Sequence, residues 1–78
     1  MTAIDEMVAA TAPTTFAVVD DDAEAREAPI VAWVVAFEER AQALAPNGEL
    51  LLHTTDEHTA LAFFNRVDAM DGRLVRAR

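Results

Sequence analysis

Apolar and polar positions fall into blocks along the chain, and each block predicts an element. Over residues 1–13, Ile4, Met7 and Val8 share one side of a short helix. Thr2 and Asp5 stand at capping-box spacing, and Pro13 closes the segment. A frayed terminus is the other reading of this stretch. Residues 14–19, TTFAVV, are β-branched and aromatic and stop at three consecutive Asp, which predicts a strand. Residues 20–28, DDDAEAREA, read as a charged connection.

Residues 29–45, PIVAWVVAFEERAQALA, support two periods. Ile30, Trp33, Val34, Phe37, Ala41 and Leu44 make a helical stripe. Pro29 suits a first helical position, acids lie upstream where a helix dipole favours them, and Pro46-Asn47-Gly48 is a stop. Against this, Ile30, Val31, Val34 and Val35 are β-branched, and 30–37 also fits a fully buried strand. The helix is the preferred expectation.

Residues 49–53, ELLLH, predict a short strand. Thr54 and Glu57 then form a capping-box pattern, opening a helix to about Asp68 with Ala60, Phe63, Phe64 and Val67 on one face and Leu61 beside them. Asp71-Gly72 is a turn signal, and 73–77, RLVRA, predict an edge strand guarded by Arg73 and Arg76. The expected fold is α+β: one small two-layer domain over 14–78, in the order β-α-β-α-β, with a three-stranded sheet whose strands run parallel through two crossovers. If 29–37 is a strand, the alternative is a four-stranded sheet plus one helix.

Composition narrows the chemistry. Seventy-eight residues allow one domain, and a chain of this size buries only ~60% of its unfolded surface. Cys, Lys, Ser and Tyr are all absent. That removes disulfides, thiolate and serine nucleophiles, Schiff-base chemistry and a phosphate-loop lysine. Apolar residues make up 53% of the chain, which argues against disorder despite the charge. The central uncharged run, Ala28 to Phe37, is shorter than the ~20 residues a bilayer requires. The chain opens on Asp5 and Glu6 rather than a basic leader, so a cytoplasmic location is expected.

Net charge is −8, with Arg the sole basic type besides two His. Residues 1–40 hold nine acids against two Arg, a net −7; residues 41–78 hold five against four, a net −1. Such a chain is repelled by nucleic acid and by anionic membranes, and attracted to basic protein surfaces. Asp20, Asp21, Asp22, Glu24 and Glu27 lie within eight residues, with Glu38 and Glu39 further on. These seven are the candidate partner-binding residues, because closely spaced carboxylates fit a basic groove that otherwise holds a phosphate backbone. The plainer reading of the same acids is solvation.

FAVVDDD resembles the first strand of response-regulator receiver domains, whose acids hold magnesium; the resemblance implies magnesium on Asp20 and Asp21. The later phosphate-accepting Asp and the Lys of that pattern are missing. His53 and His58, with Asp56 between them, match no standard zinc spacing. No metal and no cofactor are therefore expected. Val31 and Val35 lie off the helical stripe of 29–45, and together with Trp33 they form a candidate apolar interface for a homodimer or a partner.

In size, acidity and lack of catalytic groups the chain resembles small phage-encoded inhibitors, including anti-CRISPR proteins and DNA mimics. The resemblance implies a non-enzymatic inhibitor that binds the basic surface of a nucleic-acid-handling protein. The alternative is a small structural or adaptor subunit bound through the apolar 29–45 face.

Overall fold

The computed structural model describes residues 2–20 and 29–77. In chain order the elements are α1 (Ala3–Thr11), β1 (Thr14–Asp20), β2 (Ile30–Ala36), β3 (Ala41–Leu44), β4 (Leu50–Thr54), α2 (Glu57–Val67) and β5 (Gly72–Arg76). The strands form one open antiparallel sheet in the order β4-β3-β2-β1-β5. β1 to β4 are a meander. α2 then carries the chain from the β4 edge to the opposite edge, where β5 pairs with β1. The class is α+β, as expected, but the expected three parallel strands are five antiparallel ones. The four-stranded alternative comes closer.

The segment 29–45 accounts for the difference. It is no helix: it folds as β2, a hairpin loop over 37–40, and β3. Val31, Val34 and Val35 are stiff at χ1 and suit a pleated surface better than a helix. On a strand, the period of two divides the residues into two apolar sets. Ala32, Val34 and Ala36 are buried, while Val31, Trp33 and Val35 point to the other face. The helical stripe is broken up accordingly. Val34 and Ala41 enter the core, Trp33 and Leu44 pair across the other face, and Ile30 and Phe37 are exposed.

Short loops make the β2–β3 and β3–β4 pairs antiparallel, since parallel neighbours require a long crossover. The Phe37 amide donates to the Arg40 carbonyl at 2.7 Å, closing the β2–β3 hairpin. In the β3–β4 loop the Ala45 amide donates to the Glu49 carbonyl at 2.7 Å, and the Gly48 amide to the Ala45 carbonyl at 2.8 Å. Gly48 occupies φ +93°, a region that favours glycine.

α2 begins later than its predicted capping box. Asp56, not Thr54, is the N-cap, and its carboxylate accepts the Thr59 amide at 2.7 Å. Thr54 remains in β4 opposite Ala41. α2 packs across β2, β3, β4 and β5 on one face of the sheet. The core there is Val18, Ala32, Val34, Ala36, Ala41 and Ala43 against Ala60 and Phe64. Alanines at so many of these positions let the helix approach the sheet closely. Phe63 packs edge-on against Phe64, with ring centroids 5.6 Å apart. Val67, expected on the apolar stripe of α2, is exposed.

α1 has the predicted capping box: Asp5 donates its amide to the Thr2 hydroxyl, and the Thr2 amide donates to the Asp5 carboxylate, both at 3.1 Å. None of its residues is buried. Among the described residues, no helix is long and apolar enough to cross a membrane.

Candidate interaction face

The strand registers define the face of the sheet opposite α2. Ala17 of β1 stands between Trp33 of β2 and Val75 of β5. Val35 pairs with Thr15 on one side and with Gln42 on the other, and Trp33 pairs with Leu44. Val19 and Val31 extend the apolar surface toward one end, and Leu51 carries it onto β4. Ala17 is only 6% exposed because its bulkier cross-strand neighbours shield it. Val31, Trp33 and Val35 are half-buried, while Leu51 and Val75 are exposed. The structure thus brings the three candidate apolar residues together in a row on one strand.

This face differs from the rest of the chain in the charged groups it carries. Among the described residues it carries no Asp or Glu; its ionisable groups are Arg73 and His53. Strand alternation places Asp20 on the side of α2, opposite Gly72 of β5.

The acidic candidates do not gather in the same way. Asp20 is the last residue of β1 and is buried, 5% exposed. Asp21, Asp22, Glu24 and Glu27, and with them the charged connection, lie outside the described residues. Glu38 and Glu39 are exposed on the 37–40 loop, not on a helix. The Asp20 amide donates to the Pro29 carbonyl at 2.9 Å, which places Asp20 at the Ile30 end of β2. Glu38 and Glu39 follow the other end, seven strand residues or roughly 20 Å away.

The histidines also separate. His53 sits on β4, and His58 is in the first turn of α2, with Nε2 3.8 Å from Glu57 Oε1. Among the described residues, no three His, Asp or Glu side chains cluster so as to hold a metal ion. The Asp56 carboxyl is held below the usual carboxylate range, first by the Thr59 amide, then by the Thr59 hydroxyl, with His58 contributing less. Its role is capping.

A cleft of about 620 Å³ opens where α1 meets the sheet, lined by Pro13, Phe16, Phe37, Glu38 and Glu57 among others. Two glutamates are its ionisable groups, and the rest of its lining is Ala, Thr, Pro and Phe. It supplies no activated nucleophile.

Sequence reasoning named Val31, Trp33 and Val35 for an apolar interface and did not name Ala17, Val19, Leu44 and Val75, which share their face. The signal was present: both period-two sets of residues 30–36 are apolar, as in a strand packed on two sides. No protein-family model, curated protein or solved structure matches the chain.

Proposed function

We propose that this chain is a non-catalytic protein-binding subunit that associates through the open face of its sheet, with its acids as a solvating rim. The observation that carries the reading is the acid-free apolar row of Val31, Trp33 and Val35, flanked by Ala17, Leu44 and Val75. A two-layer α+β domain needs one covered sheet face, and α2 covers it. The second apolar face is surplus to folding, and surfaces of this kind mark interaction sites. The acidic-inhibitor reading needs a continuous acidic surface. Of its described acids, Glu38 and Glu39 stand about the length of β2 away from buried Asp20, which favours the open face over it.

The test is a pull-down from the source cells with three baits: wild type, a Val31→Glu/Trp33→Glu/Val35→Glu variant, and a Glu38→Arg/Glu39→Arg variant. The open-face reading expects the partner to be lost from the second bait alone, with circular dichroism unchanged. Loss from the third bait alone, with a basic nucleic-acid-handling protein as the partner, would establish the inhibitor reading instead.

A further inference from the structure

We infer that the occupant of the open face is a second copy of this chain, with α1 of each copy lying across the sheet of the other. The inference rests on the reading of that face as the contact surface, and adds what covers it.

α1 is short and buries none of its residues. It has nine residues, yet helices shorter than ~12 residues are marginal in water without packing. Its apolar side is bare: Ile4 is 71%, Met7 65% and Val8 61% exposed. Ala12 is extended, at φ −61° and ψ 137°, and Pro13 follows, so the chain leaves the helix straight into β1. α1 therefore stands off its own sheet with an unpaired apolar side, while the sheet has an unpaired apolar face.

The dimensions of helix and sheet match. A nine-residue helix is ~13 Å long, enough to cross three strands spaced ~4.8 Å apart. β1, β2 and β3, which carry Ala17, Trp33 and Leu44, are three such neighbours. The chain exposes 5585 Å², against about 4,700 Å² for a compact monomer of its mass. A second copy would take up surface of this kind, in the ~800 Å² that each partner contributes to a standard interface.

Charge favours the same pairing. α1 carries Asp5 and Glu6 and no base. On a chain of net −8, acidic surfaces repel such a helix; among the described residues the open face carries no acid. Neither half of the pair needs a chemistry from outside the chain.

The chain has no native cysteine, so an introduced one is a unique reporter. Chains carrying Val8→Cys alone are mixed with chains carrying Val35→Cys alone and oxidised gently, and light scattering is run on the wild type. The expected result is a dimer whose disulfides join Val8→Cys chains to Val35→Cys chains well above the statistical share. A Met7→Glu/Val8→Glu variant is expected to raise the dissociation constant by about tenfold or more, the scale of losing a buried apolar anchor, with circular dichroism unchanged. A dimer unaffected by this variant overturns the exchange of α1. A monomeric chain carrying both cysteines that oxidises within itself also overturns it, in favour of α1 folding back on its own sheet. A monomeric wild type whose foreign partner is lost only from the Val31→Glu/Trp33→Glu/Val35→Glu variant overturns the second copy and leaves the open-face reading standing. A dimer that survives both variants overturns the two together.

Discussion

Ala69 holds a left-handed backbone, φ +50°, just past the end of α2. The Asp68 amide donates to the Phe64 carbonyl at 2.9 Å, and the Met70 amide to the Asn65 carbonyl at 3.2 Å, which is the glycine-favouring way to end a helix. An alanine there is strained by about 1 kcal/mol. Ala69→Gly is therefore expected to stabilise the fold by about 0.5 kcal/mol, net of the entropy glycine adds to the unfolded chain. Urea denaturation checks this: the midpoint should rise with the slope unchanged. Gly48 predicts the opposite sign. A Cβ there meets nothing within 4 Å, so the cost of Gly48→Ala is backbone strain at φ +93°, about 1 kcal/mol of destabilisation in the same titration. The Gly48 turn was legible in the sequence as Asn47-Gly48. The Ala69 turn was not, because alanine has no turn signature. Its backbone is set by the Asn65 amide oxygen, which accepts the Gly72 amide at 2.8 Å and brings the chain onto β5.

At the scale of elements, Asp56 caps α2 through a charged hydrogen bond, and its carboxyl is depressed by the Thr59 amide. A depressed folded-state pKa contributes stability that is full above the ordinary carboxylate value and fades as pH falls through the folded one. Asn caps as well as Asp but does not titrate. Asp56→Asn should therefore match wild type at neutral pH and lose less stability on acidification below pH ~4. Thermal melts of both chains across that range check the difference, which cancels the other carboxylates they share. The ends of α2 show where sequence reading falters: Thr54 and Asp56 both suit an N-cap, and β3 pairing through Ala41 keeps Thr54 extended. β2 shows it more strongly. Its residues satisfy a helical and a strand period at once, so pattern alone could not choose. The β-branched side chains and a four-residue loop to β3 decide, and the loop is a tertiary fact invisible in residues 30–36 themselves. With 29–45 taken as a helix, parallel crossovers followed and the antiparallel meander was lost. Strand alternation in β2 also assembled the candidate face, which a helix would have scattered.

At the scale of the whole molecule, charge and apolar surface make opposite demands, and salt separates them. Each copy carries net −8, so two copies that pair through apolar faces do so against mutual repulsion. Screening shortens that repulsion, from a reach of ~10 Å at 0.1 M salt to ~3 Å at 1 M, while the contact of Ile4, Met7 and Val8 with Trp33 and its neighbours is made by apolar side chains. Self-association should therefore tighten several-fold as sodium chloride rises, and more with sulfate, which also strengthens apolar burial. Neutralising rim acids should act in the same direction: Glu38→Gln/Glu39→Gln is expected to tighten the dimer at low salt and to make no difference at high salt. An acidic surface seated in a basic groove behaves in reverse, weakening as salt rises and weakening again when its carboxylates are removed. Sedimentation equilibrium of wild type and the double glutamine variant, at low and high sodium chloride, gives both signs in one experiment. A dimer that loosens with salt would sink the apolar pairing and return the acids to the centre of the function. One that tightens with salt, and is indifferent to Glu38 and Glu39 once screened, makes them what their exposed position on the 37–40 loop suggests: the charge that keeps a two-faced apolar sheet in solution.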